Sequence, residues 1–272
     1  MSHKFHFISG LPRSGSTLLS GLLKQNPRFH AGMSGPVAGM FNTITSEMSA
    51  RNEFSVFISD DQRKRVLRGL FDNYYGPEFT QEIIFDTNRM WCIKLRHLRE
   101  LMPESKVIAC VRHIPWVIDS VERLIRKNTF QPSSIFGYNA GGTVYQRADS
   151  MASNDGLVGF PFNGLKEAYN DEGAGQQMIL VQYESLTREP ARTMAAIYDF
   201  IGEPAFTHDF DNVEYEANEF DMRAGTPGLH VVGSKVKPNE RQTILPPDLF
   251  RRFENDAFWR DPALNLRKVR VV

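Results

Sequence analysis

The sequence predicts an α/β fold in three layers, in which a central parallel sheet is flanked by helices. Three observations predict it. Short apolar runs alternate with segments whose apolar residues recur at helical spacing. The run KVIACV, at 106–111, is continuously apolar, which is typical of a strand buried on both faces of a parallel sheet. The first strand is followed by a glycine-rich turn and then a helix, the order of a βαβ unit.

The elements follow in order along the chain. Strands are predicted where apolar runs are short, and the apolar side of each helix is predicted from residues three and four positions apart. The predicted strands are KFHFIS at 4–9, EIIFD at 82–86, KVIACV at 106–111 and MILVQY at 178–183. The predicted helices are 16–25, 59–75, 91–102, 115–127, 189–202 and 246–256. Asn26-Pro27 ends the first helix, Pro115 suits a first helical turn, and Gly202 ends the helix before it.

The chain is interpreted as a single domain over residues 1–272. Its 272 residues fit one large domain, and it contains no internal repeat and no low-complexity linker. Between 129 and 175 glycine, serine and asparagine interrupt the periodic pattern, and short helices such as GTVYQRADSMA are expected among loops. We interpret 129–175 as an insertion or lid.

Composition excludes several classes of protein. Lys+Arg and Asp+Glu balance at 32 each, so no overall charge attracts the chain to nucleic acid, and no nucleic-acid partner is expected. No apolar run approaches the roughly 20 residues that span a bilayer, and the start MSHKFHF lacks a signal-peptide core. Cys92 and Cys110 lie in apolar runs, which favours buried reduced thiols and a cytoplasmic location. The seven histidines show no metal-ligand spacing with these cysteines, so no metal is expected.

The turn after the first strand, SGLPRSGST, has the composition of an anion-binding loop. Glycines let several backbone N–H groups turn inward, and the start of the following helix adds its positive end. Hydroxyl groups and one guanidinium add further donors. The residues expected to bind the anion are Arg13, Ser14, Gly15, Ser16 and Thr17.

This loop differs from a nucleoside-triphosphate loop at one position. In the pattern G-x-x-x-x-G-K-[ST], Gly10, Gly15 and Thr17 fall in place, but Ser16 stands where the lysine would be. That lysine, with Mg²⁺, offsets the charge of a triphosphate during phosphoryl transfer. A sulfuryl group carries less negative charge than a terminal phosphoryl group, so the substitution favours sulfuryl transfer over phosphoryl transfer.

A second anion-binding element is predicted after the strand at 106–111. Arg112 stands where that strand ends, and Ser120 follows eight residues later on the next helix. Arg123 is the i+3 neighbour of Ser120 on the helix surface. The arginine and the serine together could bind one phosphate group.

These two elements resemble the sulfotransferase family that uses 3′-phosphoadenosine 5′-phosphosulfate (PAPS) as donor. The opening loop is similar to the family's 5′-phosphosulfate motif, and Arg112 with Ser120 is similar to its 3′-phosphate motif. Among branches, RSGSTLLSGLLKQNPRF most resembles bacterial sulfotransferases related to the tyrosylprotein enzymes. The segment LVQYESL resembles a strand found downstream in the family, which implies that Tyr183 lies near the donor. RAGTPGL, at 223–229, is similar to a later loop that closes over the 3′-phosphate.

The resemblance implies a reaction and a set of roles. A hydroxyl or amine of a small-molecule or peptide acceptor attacks sulfur, and adenosine 3′,5′-bisphosphate leaves without a metal. The segment 129–175 would then cover the acceptor site. Arg13 would bind the transferring group, and Arg89, which falls on a lysine of the tyrosylprotein branch, would stabilise it. Asp86 is the candidate base, with an alternative role as a helix N-cap; Glu47 and His30 are the other candidates.

The sequence departs from the family at three places and leaves other functions open. Met33 and Ser34 occupy the positions of the glutamate-containing segment of the tyrosylprotein branch, no residue maps to the histidine base of the cytosolic branch, and His113 replaces the aspartate that usually follows the strand-end arginine. A P-loop kinase with an altered loop, or a nucleotide-binding protein without turnover, is the alternative. Neither the acceptor nor the oligomeric state can be predicted.

Overall fold

The computed structural model describes residues 3–130, 142–215, 217–223, 227–238 and 240–272. Within them, six strands form one parallel sheet in the order β2-β3-β1-β4-β5-β6. The strands are β1 (Lys4–Gly10), β2 (Phe29–Ala31), β3 (Ile83–Thr87), β4 (Val107–Val111), β5 (Met178–Gln182) and β6 (Arg270–Val271). The predicted fold class, a parallel sheet flanked by helices, is confirmed.

Twelve helices accompany the sheet in the described residues. They are α1 (Ser16–Leu23), α2 (Val37–Glu47), α3 (Asp60–Tyr74), α4 (Leu95–Leu101), α5 (Ile114–Lys127), α6 (Val144–Ala152), α7 (Gly159–Asn170), α8 (Ala174–Gln177), α9 (Tyr183–Arg188), α10 (Pro190–Ile201), α11 (Asn218–Arg223) and α12 (Pro247–Arg252). Short 3₁₀ turns lie at Glu53–Phe57, Arg89–Trp91, Phe258–Arg260 and Pro262–Leu264. None of these described helices is long and apolar enough to cross a bilayer.

The alternation of side chains along the strands creates the three layers. Phe7 and Val107 point into one apolar core, which is completed by α2 to α7. Ile8 and Ile108, their neighbours along the chain, point into a second core with α1 and α10. Since the residues of the central strands face one core or the other in alternation, these strands need apolar residues at nearly every position. This is why KVIACV has no polar alternation.

The structure differs from the predicted elements in a few places. β2 has three residues and α2 begins without a side-chain cap, and neither was predicted. The helix predicted over 91–102 is a 3₁₀ turn followed by α4, which begins at Leu95. Val66 is exposed, although in the sequence it lies four residues before Leu70, at the spacing that predicts the apolar side of this helix. Within 129–175, the described part contains α6 and α7, whose buried residues join the first core, while 131–141 lie outside the described residues.

The strand order places the functional motifs side by side. β1 lies between β3 and β4, so the chain runs to one side of β1 and then to the other. In such sheets ligands bind beyond the carboxyl ends of the strands, where the order reverses. Gly10, the last residue of β1, pairs with Cys110 near the end of β4. The loop that follows β1 therefore lies beside Arg112, which follows β4.

Gly10 is required for this close approach. Its φ is 102°, and a Cβ atom there would lie 2.1 Å from the carbonyl oxygen of Cys110. We expect Gly10→Ala to lower the free energy of unfolding by about 3 kcal/mol or more, because the left-handed backbone and the clash add together. Urea denaturation measures it. Gly39→Ala is the control, since nothing lies within 4 Å of a Cβ at this helical position; equal effects of the two changes would contradict the prediction.

Asp171, the residue after α7, holds α4 to the turn before α8. It accepts hydrogen bonds from Arg96 Nε and Arg99 Nη1, each at 2.6 Å, and from the Gly173 N–H at 3.0 Å. Burial alone would raise the pKa of Asp171, but these donors outweigh it and lower the pKa to about 2. A carboxyl whose folded pKa is depressed stabilises the fold above its unfolded pKa, and that stabilisation is lost as the pH falls toward the folded pKa.

Asp171→Asn is therefore expected to destabilise the protein by about 2 kcal/mol at pH 7. The difference from wild type should shrink as the pH is lowered from 5 toward 3, because the unfolded wild-type chain then takes up a proton at Asp171 that the folded chain still excludes. Denaturant unfolding at several pH values measures this. A difference that stays constant over that range would show that the carboxylate charge is not the cause.

Candidate functional site

A cavity of about 870 Å³ lies beyond the carboxyl ends of β1, β3 and β4. The loop after β1 contributes to its lining, and so do the residues after β3 and β4. Of the residues predicted for a site, the cavity is lined by Arg13, Gly15, Ser16, Thr17, Arg89, Arg112, Ser120 and Tyr183. The two predicted anion-binding elements therefore share one cavity.

The loop after β1 is shaped by its backbone and fixed by one serine. Arg13 and Gly15 both have left-handed φ angles, of 56° and 95°. Ser14 is buried, and its Oγ lies within hydrogen-bond distance of two carbonyl oxygens, those of Leu11 at 2.5 Å and Cys110 at 2.9 Å, which share its one proton. The Ser14 hydroxyl thus fixes the loop against β4, and Ser14, which was expected to bind the anion, does not line the cavity.

The first turn of α1 faces this loop without a cap. Gly15 is the residue before the helix, and no side chain in the described chain accepts a hydrogen bond from its first N–H groups. Ser16 and Thr17 begin the helix and line the cavity. Uncapped amide groups together with the positive end of the helix dipole suit an anion.

Arg112 is buried at the end of β4 with part of its guanidinium unpaired. Its Nη1 donates to the carbonyl oxygen of Arg13 at 3.2 Å, and its Cζ lies 4.2 Å from the centre of the Tyr183 ring. Among described residues, the buried Nε has no hydrogen-bond partner. Burial lowers the pKa of Arg112, and nearby Arg241 lowers it further. A buried cationic donor without a partner is costly unless a ligand supplies one, so this group fits an anion.

Arg13 connects the two elements through its side chain. Its Nε donates to Ser120 Oγ at 3.2 Å, and its Nη1 donates to the carbonyl oxygen of Leu229. Burial lowers the pKa of Arg13, Arg112 lowers it further, and Asp221 opposes this. The two guanidinium groups repel each other, and an anion between them would relieve that repulsion.

Tyr183 directly follows β5 and is the first residue of α9, whereas it was predicted as the last residue of the strand. Its ring packs under Arg112 and against Gly15, where a Cβ would lie 2.9 Å from the ring. The ring thus orients the guanidinium by a cation–π contact and keeps the turn into α1 close to β5.

Arg89 lines the cavity on the side of β3. Arg89 begins the 3₁₀ turn Arg89–Trp91. Ser9 of β1 holds this turn in place: its hydroxyl donates to the Arg89 carbonyl at 3.2 Å and accepts from the Cys92 N–H at 3.1 Å. The Nη1 of Arg89 donates a weak hydrogen bond to the carbonyl oxygen of Leu157 at 3.4 Å. Burial lowers the pKa of Arg89. The guanidinium keeps donors available for a ligand.

Asp86 does not line the cavity. It is fully buried on β3, where Tyr75 Oη donates to it at 2.6 Å and Trp91 Nε1 at 2.7 Å. Burial raises the pKa of Asp86. The helix-cap role belongs instead to Asn88, which accepts from the Met90 N–H at 3.1 Å. The position of Asp86 does not favour the base role predicted for it.

Residues from the segment 229–238 also line the cavity. Of this segment, Leu229 alone belongs to the loop predicted to close over the 3′-phosphate. The segment contributes His230, Lys235 and Lys237. Arg223, at the start of the predicted closing loop, pairs with Glu219 at 2.6 Å, and residues 224–226 of that loop lie outside the described residues. No motif marks this segment; the nearest signal in the sequence was the basic pair at 235 and 237.

The described residues contain no group of three or more histidine, cysteine, aspartate or glutamate side chains placed to bind a metal ion. Cys92 and Cys110 are buried and not disulfide-bonded. Glu240 is the acidic residue among those that line the cavity in the described part of the chain. Basic side chains therefore dominate the lining, which suits a polyanionic ligand.

Comparison with known families finds a match to the model described as "Sulfotransferase family", over residues 6–208. The matched range contains both anion-binding elements and Tyr183. Among curated proteins, no sequence matches this chain.

Solved structures of similar shape include a sulfotransferase domain from the curacin biosynthetic pathway. It is 17% identical, with a TM-score of 0.53, and the alignment covers 94% of this chain and 91% of that chain. A sulfotransferase domain from the Synechococcus PCC 7002 olefin synthase is 18% identical, with a TM-score of 0.47, covering 94% and 97%. The first of these likenesses supports the fold.

Proposed function

We propose that this chain, which belongs to the sulfotransferase family, transfers a sulfuryl group from PAPS to a hydroxyl or amine of an acceptor and releases adenosine 3′,5′-bisphosphate. One observation carries the proposal. The loop at 10–17 and the pair Arg112 and Ser120 line the same cavity, so one nucleotide with two anionic ends could bind both.

The residues present fit that donor. The buried Arg112 Nε without a partner and the Ser120 hydroxyl would bind the 3′-phosphate. The uncapped first turn of α1, with Ser16 and Thr17, would bind the 5′-phosphosulfate through backbone N–H groups and hydroxyls. Tyr183 would hold Arg112 in place. The donor, when bound, supplies the sulfuryl group and the leaving bisphosphate.

Two arginines would act on the transferring group. Arg13 lies between the two elements, and Arg89 lies on the β3 side of the cavity. Fixed cationic donors stabilise the charge that develops on the bridging and terminal oxygens as the bond to sulfur breaks. The bonds of Arg13 to Ser120 and to the Leu229 carbonyl use Nε and Nη1, so Nη2 can donate to the sulfuryl group while those bonds hold the side chain in place.

A kinase with an altered loop is less well supported. Ser16 replaces the phosphate-binding lysine. P-loop enzymes that transfer phosphoryl groups also use an aspartate to hold Mg²⁺. Asp86, on the strand beside β1, instead accepts hydrogen bonds from Tyr75 and Trp91 and does not line the cavity. Magnesium dependence distinguishes the two reactions, because phosphoryl transfer from a nucleoside triphosphate requires the ion.

The experiment has two stages on the full chain. Isothermal titration with adenosine 3′,5′-bisphosphate, and with ATP plus Mg²⁺, tests which nucleotide binds. Transfer from ³⁵S-labelled PAPS to a panel of phenols, alcohols, amines and a tyrosine peptide, with and without EDTA, tests turnover. Binding of the bisphosphate with metal-independent transfer supports the proposal. Preference for ATP with Mg²⁺ would replace it by the kinase, and binding without any transfer would indicate a nucleotide-binding protein without turnover.

The acceptor is proposed to be a small molecule or a peptide. Its binding site would lie on the Arg89 side of the cavity, beside Leu157, with 129–175 as the segment that covers it within the single domain 1–272. The unpaired buried cysteines suit a reducing, cytoplasmic location.

A further inference from the structure

Large apolar side chains are concentrated in one exposed turn before α3. The 3₁₀ turn Glu53–Phe57, hereafter the apolar turn, exposes Phe54 by 63% and Val56 and Phe57 by 79% each. Single exposed apolar residues are common on protein surfaces, but a contiguous group of them marks a site of interaction. The apolar turn is therefore a candidate contact surface.

The apolar turn is held in place by hydrogen bonds. Asn52 Oδ1 accepts the N–H of Phe54 at 3.1 Å. Arg63 of α3 donates from Nη2 to the Ser55 carbonyl at 2.9 Å and from Nε to the Met48 carbonyl at 3.1 Å. The apolar side chains are thus presented to solvent by a fixed backbone, as a preformed contact surface requires.

A groove between α2 and α3 lies beside the apolar turn. It consists of two adjoining depressions, of about 470 and 620 Å³, which share Ile44, Arg65 and Val66. Ile58, the residue after the apolar turn, lines the first depression. The remaining large apolar side chains of its lining are Met40, Met48, Leu70 and Tyr74. An apolar projection and an apolar groove therefore lie next to each other, and neither contributes to the cavity of the candidate site.

The charges on this surface are balanced. Glu47 and Arg65 line the groove, and Arg51 and Glu53 lie at the start of the apolar turn. All four side chains are exposed, and none of them forms an ion pair with another described residue. The projection and the groove each offer one acid and one base, so a second copy of the same surface supplies a partner of opposite sign for every one of them.

Other classes of partner fit these charges less well. A lipid surface or a nucleic acid selects an excess of basic side chains, which a balanced surface does not provide. Two copies of this chain do not repel each other overall, because Lys+Arg and Asp+Glu balance at 32 each. The charge pattern thus favours association of the chain with itself.

We propose that the surface formed by the apolar turn and the groove is the interface of a homodimer with two-fold symmetry, in which the apolar turn of each copy enters the groove of the other. A two-fold interface uses the same patch on both copies, so this contact occurs twice. Removal of the apolar side chains from water stabilises the dimer. The inference does not depend on the proposed function, because the surface lies outside the cavity.

The test uses the full-length chain and sedimentation velocity over about 1 to 100 μM protein, a range that detects dissociation constants in the micromolar region. The variants are Phe57→Lys in the apolar turn and Val66→Asp in the groove, each measured alone and in an equal mixture of the two. The matched control is Leu266→Lys before β6, since Leu266 is 78% exposed and Phe57 79%. Urea denaturation checks that each variant keeps its fold.

We expect wild type and the control to sediment as dimers. Each variant alone should raise the dissociation constant at least about 30-fold, as for the loss of a central apolar contact. The mixture should associate more tightly than either variant alone. In a mixed dimer one contact between turn and groove is native, and in the other the new lysine faces the new aspartate.

Three results would overturn the inference. The first is a wild type that stays monomeric over the whole concentration range. The second is a dimer that persists unchanged in Phe57→Lys and in Val66→Asp, since another surface must then form it. The third is a mixture that associates no better than its components, which would show that the apolar turn of one copy does not enter the groove of the other.

Discussion

Arg112→Ala is expected to weaken binding of adenosine 3′,5′-bisphosphate by roughly 10- to 100-fold, the equivalent of about 1.5–3 kcal/mol for hydrogen bonds to a charged group. The reason is geometric. Arg112 is buried, its Nε has no protein partner in the described chain, and Tyr183 holds the guanidinium from below. A planar fork restrained in this way binds phosphate through two parallel hydrogen bonds.

The measurement that isolates this contact uses two nucleotides. Adenosine 5′-phosphate lacks the 3′-phosphate, so its affinity should change much less in Arg112→Ala than that of the bisphosphate. Equal losses for both would contradict the assignment. Arg112→Lys should be intermediate, because it keeps the charge but not the fork, and Arg192→Ala, on an exposed side chain of α10, should have no effect.

Arg13→Ala is expected to lower the rate of sulfuryl transfer by more than about 10-fold, and by as much as about 100- to 1,000-fold if it acts as a single preorganised donor to the transition state. Arg13 belongs to the loop after β1 and donates to Ser120 of the second element; burial and the nearby Arg112 lower its pKa, and Asp221 opposes them. Since its contribution increases as charge moves to the leaving oxygen, the rate should fall more than the affinity for the bisphosphate.

Single-turnover transfer from ³⁵S-labelled PAPS measures the effect, with Arg13→Lys as the matched control. At this position φ is 56°, and the energetic cost of that left-handed backbone is the same for lysine as for arginine. Lysine also keeps the positive charge. It should therefore retain more of the rate than alanine does. An alanine variant with the wild-type rate would remove Arg13 from the reaction.

Much of the fold could be predicted because its signals are local. β1, the glycine turn and α1 are adjacent in sequence, and the apolar runs of β4 and β5 are continuous because each strand is buried on both faces. β2 could not be predicted, since three residues carry no period and its pairing with β3 is decided by tertiary contacts. Similarly, α2 contains glycine, threonine and asparagine and has no capping side chain.

The candidate site divides in the same way. Arg13, Arg112 and Ser120 could be identified because each belongs to a motif in which strand, turn and helix are consecutive. The segment at 229–238 could not, because no motif marks it, and the fold, not a pattern, brings it beside Arg13. For Asp86, the sequence shows only its place at the end of a predicted strand; the hydrogen bond that it accepts from Tyr75, the residue after α3, depends on the tertiary fold and has no local signal.

The hydrogen bond from Arg13 to the Leu229 carbonyl has a consequence for how the parts of the cavity wall move. It ties the segment at 229–238 to the turn after β1. This bond and the one to Ser120 use Nη1 and Nε, and a guanidinium has five N–H donors, so Arg13 can keep both bonds and still donate to a nucleotide. A nucleotide bound to Arg13 would therefore restrain both anion-binding elements and the segment at 229–238 together, although the three are far apart in the sequence.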